Sequence, residues 1–227
     1  MAKGTESVDP TARAPRMDAG DARRLEVLRE RAQKDRAGAT DAAWDWLTEF
    51  QSLETHHRLP ALFAEGTAPT APDGDCEGMV LGLYGAPWLD GVDRLVRIGR
   101  FLGGIGWTGK SFDPQTGRGF NRLTTSSRIP MFLAMPTYRF ERTSRGELHG
   151  FRFDHRIEAS PLSPDQDVLA VVYARPEYGN PLVLPNTRDE LVEIVPSIYL
   201  GRALLHEDDR WRVVGYFALR HPVRGRR

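Results

Sequence analysis

The chain has one cysteine, three lysines and no net charge, Lys+Arg and Asp+Glu both standing at 31 of 227 residues. Each shortage excludes something. A single thiol, Cys76, cannot build an intramolecular disulfide framework and fits a reducing compartment. It lies in Asp73-Gly74-Asp75-Cys76-Glu77-Gly78, where no neighbouring cation lowers its pKa, so a structural thiol is expected. The balanced charge supplies no overall field for nucleic acid or an anionic membrane, and neither is expected as a partner. No apolar run approaches the ~18–20 residues of a membrane span. Met1–Arg16 lacks the apolar core of a secretory signal, so a cytoplasmic location is the expectation.

The reaction signatures with fixed spacing are missing as well. There is no Gly-x-Ser-x-Gly elbow, no Walker loop and no His-Glu-x-x-His, and the Gly-x-Gly-x-x-Gly spacing of Gly104–Gly109 leads into an expected strand from Trp107 and not into the helix a dinucleotide fingerprint opens. A hydrolase, an NTPase or a dinucleotide-binding dehydrogenase is therefore not expected. The 28 arginines against three lysines are most simply read as an effect of base composition and are not counted as a sign of phosphate binding. They do make Lys110 conspicuous, the other lysines being Lys3 and Lys34.

Along the chain, residues 1–17 read as a disordered tail without periodicity. Residues 18–58 read as a helical segment. Its first helix has a narrow stripe of Leu25, Leu28 and Ala32; a second, N-capped by Thr40, places Ala43, Trp46, Leu47, Phe50 and Leu53 on one face. Leu59–Gly74 reads as a loop. From about residue 75 to 221 the periods shorten and turn signals multiply, which predicts an all-β unit. Asp90–Leu102 stays ambiguous between helix and strand. Thr137–Arg142 and Leu148–Glu158 are the expected hairpin, and Val168–Ala174 a strand buried on both faces.

Period-two alternation assigns the faces. In Leu148–Glu158, His149, Phe151, Phe153, His155 and Ile157 share one side, opposite Arg152, Asp154, Arg156 and Glu158, so both histidines are expected to point inward. In Arg210–Arg220, Trp211, Val213, Phe217 and Leu219 share the inner side. Histidines six apart on a strand lie ~20 Å apart and cannot share a metal ion, and no metal site is expected. The densest signal is Gly104-Ile105-Gly106-Trp107-Thr108-Gly109-Lys110, a large aromatic among glycines followed at once by a lysine. In a regular strand Lys110 would face away from Trp107, which makes it a rim lysine. A pocket lysine for an acidic tail and a reactive amine are the other readings.

This segment resembles the Gly-x-Trp-x-Gly-Lys-x-Phe stretch of the uncharacterised bacterial GXWXG proteins, which lie near the lipocalin-like (calycin) barrels. Asn121-Arg122-Leu123, Leu200-Gly201 and Tyr216-Phe217-Ala218-Leu219 follow in a similar order. The resemblance implies a barrel with a hydrophobic pocket and carries no established chemistry. The fold expected is mainly β: a closed or nearly closed antiparallel barrel with one or two N-terminal helices. Its expected function is to bind a small hydrophobic molecule, fatty-acid- or polyketide-like. Trp107, Phe151, Phe153, Trp211 and Phe217 would form the wall, and His149, His155, Tyr173, Asn121 and Lys110 the polar contacts. No cofactor is called for. Three alternatives stand beside this: a barrel enzyme using a pocket histidine, a haem barrel with an inward histidine as ligand, and a partner-binding protein or homodimer acting through the N-terminal helices.

Overall fold

The computed structural model describes residues 16–83, 106–127, 138–144, 146–181 and 184–222. The tail reading over residues 1–15, the Asp90–Leu102 stretch and Thr137 lie outside them.

Asp18 opens the first helix by accepting the Asp21 N–H at 2.9 Å, and α1 (Ala19–Lys34) follows. Asp35 repeats the device for α2 (Arg36–Thr48), accepting the Gly38 N–H at 2.9 Å. The cap expected at Thr40 is thus made by Asp35. Thr40 lies inside the helix and donates to the carbonyls of Arg36 and Pro196, which ties α2 to the barrel. Trp46, Leu47 and Phe50 are buried as the stripe predicts. Leu53 is 81% exposed, because the helix ends at Thr48 and the chain continues in 3-10 turns. The expected loop after Leu59 begins instead with a short helix, α3 (Leu59–Ala64), in which Pro60 occupies the first turn and Leu59, Leu62 and Phe63 are buried.

Among the described residues nine strands follow: β1 (Gly74–Leu83), β2 (Trp107–Asp113), β3 (Arg118–Leu123), β4 (Glu141–Arg142), β5 (Leu148–Ser160), β6 (Ser163–Val172), β7 (Thr187–Val195), β8 (Ile198–Glu207) and β9 (Arg210–Arg220). Their order is β3-β2-β1-β9-β8-β7-β6-β5, and β3 also pairs with β5, so eight antiparallel strands close into a barrel. The expected Thr137–Arg142 hairpin shrinks to β4, a two-residue strand set against Leu148 and His149. The architecture is otherwise the predicted one: mainly β, closed and antiparallel, with helices from the N-terminal segment.

The alternation of β7, β8 and β9 feeds two cores at once. One face sends Leu191, Tyr199, Phe217 and Leu219 into the barrel. The other sends Val192, Ile194, Ile198, Leu200 and Ala218 outward beneath the helices, where they meet Trp46, Phe50 and Phe63. Burial on both faces is why these strands read as near-continuous apolar runs. Each of the three helix aromatics contributes about 1.5–3 kcal/mol by leaving water. A charged cluster shares that outer layer: Glu190, fully buried, receives Arg188 at 3.0 Å, Arg202 at 2.8 Å and the Ser160 hydroxyl at 3.0 Å. The Arg202 guanidinium lies 4.2 Å from the centre of the Phe63 ring.

These cores predict an alkaline limit. Burial, with Asp75 adding to it, pushes the Cys76 thiol from 9.0 to about 12, and burial pushes the Tyr216 phenol up to about 12. Both folded groups keep their protons at a pH where the unfolded chain has lost them. Their stabilisation is complete below about pH 9 and is lost as pH rises through 9 to 12. The urea midpoint should hold steady to about pH 9 and then fall, and Cys76→Ala should move the fall to higher pH. A wild-type midpoint flat to pH 11 would contradict burial of these groups.

Candidate functional site

Gly109 sets the site. It adopts φ +137°, and β2 slips register between Trp107 (opposite Leu123) and Gly109 (opposite Arg122). A Cβ there would lie 2.0 Å from the Cys76 carbonyl oxygen, so the two backbones approach as only glycine permits. A regular strand would send Trp107 and Lys110 to opposite faces. The bulge sends both inward, so Lys110 sits at the centre of the barrel, 2% exposed, and not at its rim.

A second irregularity lies in β5. Phe151 takes φ +50°, and the β3–β5 register shifts between the pairs Gly119–Phe153 and Asn121–Gly150. The Phe151 carbonyl accepts from Asn121 Nδ2 at 3.0 Å, and its N–H donates to the Tyr138 hydroxyl. The extra residue keeps Phe151, Phe153 and His155 inside but turns His149 out, contrary to expectation. His149 stacks on Phe120 at 4.0 Å on the outer face. Ile157, expected inside, is 49% exposed. A third bulge, in β8–β9 between Ala203 and Leu204, likewise removes Trp211 from the wall. Its ring lies 4.8 Å from His206 instead, while Phe217 stays in the interior.

The remaining polar candidates meet around one amine. Lys110 Nζ donates to Asn121 Oδ1 at 2.9 Å, to the Tyr173 hydroxyl at 2.5 Å and to Asp189 Oδ2 at 2.8 Å. Tyr173 donates in turn to Asp189 Oδ2 at 2.7 Å. Trp107 Nε1 donates to Asn121 Oδ1 at 3.0 Å. Asn121 therefore has its amide orientation dictated from every side: two donors face its oxygen, and its nitrogen faces the Phe151 carbonyl and, at 3.3 Å, Tyr173. The ring centres of Phe153, Tyr173, Phe217 and Trp107 stand 5.2, 5.3, 5.4 and 5.9 Å from Nζ. Burial lowers the lysine pKa against the opposing pull of Asp189. It raises that of Tyr173 well above the ordinary phenol range, helped by the Asp189 charge.

Asp189 is the member that sequence reasoning missed. It shares parity with Leu191 on β7, and a lysine inside a barrel requires a buried counter-charge. His155 stands apart, at the end of the barrel near the β2–β3 turn. Its Nε2 faces the Asp113 carbonyl at 3.2 Å and its ring packs 5.4 Å from Phe112. Burial lowers its pKa, which favours the neutral imidazole. An axial haem ligand needs a free ring nitrogen facing the interior; His149 faces out, and the Nε2 of His155 is taken up by the Asp113 carbonyl.

Two of the depressions on the surface of the described residues bear on the site. One of about 390 Å³ lies over the barrel end, between Pro69, Ala71, Pro114, Ile157, Leu169 and His155. The other, about 460 Å³, lies beside α1 and reaches Met17, Arg29 and Glu65. Neither is lined by Lys110, Asn121, Tyr173 or Asp189. Among the described residues no three His, Cys, Asp or Glu side chains are grouped to hold a metal ion, and no helix is long and apolar enough to cross a membrane. Comparison with known proteins adds no relative: no family model, no curated protein and no solved structure matches the chain.

Proposed function

We propose that the barrel binds and carries a small hydrophobic molecule, fatty-acid- or polyketide-like, whose polar end meets the Lys110 cluster. The observation that carries this reading is the composition of the interior. Rings of Trp107, Phe151, Phe153 and Phe217 surround a single knot of convergent polar groups: Lys110, Asn121, Tyr173 and Asp189. An apolar wall with a few fixed polar groups is the usual make-up of a small-molecule site. A buried ion pair is a poor device for stability alone, since apolar side chains of similar volume hold a core at least as well. On this reading the guest would enter through the 390 Å³ depression lined by Leu169 and His155.

The proposal extends to kinship with the GXWXG barrels. Support comes from the central place of Trp107, Gly109 and Lys110, the residues that carry the resemblance. Native mass spectrometry of freshly purified protein, followed by mass analysis of an organic extract, is the test. A stoichiometric lipid-like mass is expected, and medium-chain ketones should raise the melting temperature of the stripped protein. A bare mass together with an unmoved melting temperature would end the reading.

A further inference from the structure

The chemistry at Nζ narrows the ligand. Lys110 already faces a carboxylate at 2.8 Å, so an incoming acid would set a second negative charge beside Asp189 in an apolar interior. A neutral carbonyl brings no such charge and accepts hydrogen bonds from the donors present. We infer that the Lys110 amine captures an aldehyde or ketone covalently as an imine, with Asp189 and Tyr173 handling the protons. The inference rests on the binding reading above and specifies its ligand class.

The geometry supplies each step. Lys110 passes a proton to Asp189 Oδ2, 2.8 Å away, leaving a neutral amine. Nζ adds to the carbonyl carbon, and the C=O π pair moves to the oxygen. The oxygen takes the Tyr173 hydroxyl proton, which Asp189 replaces across 2.7 Å. The nitrogen, now cationic, returns a proton to Asp189 and the carbinolamine is neutral. Its nitrogen lone pair then expels the hydroxyl, which leaves as water with a second proton relayed through Tyr173. The product is an iminium ion paired with the Asp189 carboxylate; overall, ammonium plus carbonyl gives iminium plus water. Asn121 fixes the amine through Oδ1, and the four surrounding rings favour the cation at the start and at the end. Burial keeps the amine pKa below its ordinary value, which enlarges the nucleophilic fraction at neutral pH.

The chain carries its own control. Lys34 is exposed at the end of α1 and serves as the internal reference. The folded full chain is incubated with octanal and sodium cyanoborohydride, which delivers hydride to the C=N bond and fixes it as a secondary amine. Adducts are then mapped by peptide mass spectrometry across pH 6–9. A lowered amine pKa enlarges the neutral fraction, and Asp189 and Tyr173 relay the protons, so Lys110 should label faster than Lys34 at pH 7. Its rate should also level off at lower pH. Tyr173→Phe, verified as folded by circular dichroism, should slow labelling of Lys110 by about tenfold or more and leave Lys34 unchanged. Labelling confined to Lys3 and Lys34, or labelling of Lys110 only in urea, overturns the inference. If octanal raises the melting temperature while Lys110 stays unlabelled, the binding reading survives and imine capture does not. If it does neither, both fall.

Discussion

Replacing Lys110 by methionine should cost about 3–5 kcal/mol of folding stability, although the side chains are similar in length and both fit an apolar interior. The loss arises from what remains. Asp189 would keep only the Tyr173 hydroxyl, and its side chain is 10% exposed. A carboxylate left there without its cation must bury a lone charge or take up a proton, and either penalises the folded chain. Asn121 would lose one of the two donors facing its oxygen, a smaller effect because Trp107 remains. Adding Asp189→Asn to Lys110→Met removes the stranded charge and should recover much of the loss. The two substitutions therefore couple by up to about 3 kcal/mol in a double-mutant cycle. Urea unfolding of the wild type, both single variants and the double variant measures this directly. If Lys110→Met alone costs less than about 1 kcal/mol, the amine is hydrated and the buried network does not exist. The double variant also matters for function: if it is stable but takes up no ligand, the pair is kept for binding and not for the fold.

The parts of this site that could be read in the sequence are those where side-chain type alone is informative. A lysine beside Gly-Trp-Thr-Gly, and the Phe, Tyr and Asn residues on alternating strands, select Trp107, Lys110, Asn121, Phe151, Phe153, Tyr173 and Phe217, and all seven lie in or against the barrel interior. What period two cannot anticipate is an extra residue. Each of three bulges reverses the parity downstream of it, and each has a different visibility. Gly109 announces the first. Phe151, a non-glycine at φ +50°, conceals the second, which its partners Asn121 and Tyr138 hold in place. The third leaves no local mark, and with it Trp211 moves from the expected wall to the side of His206. Asp189 was hidden for another reason. In the run Arg188-Asp189-Glu190 three consecutive charges argue for solvent and against a buried strand. In fact one face of that run turns to Lys110 and the other to Arg202, and both are buried. Only long-range partners make such a segment a strand, and a single sequence does not display them.

Gly109→Ala should be the most damaging exchange of a glycine in the β2 bulge, because two separate penalties coincide. The φ of +137° strains any residue with a Cβ, at about 1–3 kcal/mol. The added methyl would also lie 2.0 Å from the Cys76 carbonyl oxygen and 2.8 Å from the Gly78 nitrogen, both backbone atoms of the adjoining strand that cannot swing aside. Gly74 separates the two contributions. It begins the same neighbouring strand at φ +90°, and a methyl added there would meet nothing within 4 Å, so Gly74→Ala should cost only the conformational part. The difference between the variants isolates the contact, and a total of about 4 kcal/mol or more is expected at Gly109. A chain that survives the exchange must straighten β2, and straightening reverses the parity between Trp107 and Lys110. One of the two would leave the interior, so the bond from Trp107 Nε1 to Asn121 and the amine's three contacts could not all persist. The near-ultraviolet dichroism of the tryptophans should change, and Lys110 should label at the ordinary rate of Lys34. If Gly109→Ala instead matches Gly74→Ala in stability and keeps the wild-type labelling pattern, the bulge is not what places the lysine, and the alternation in β2 needs another explanation.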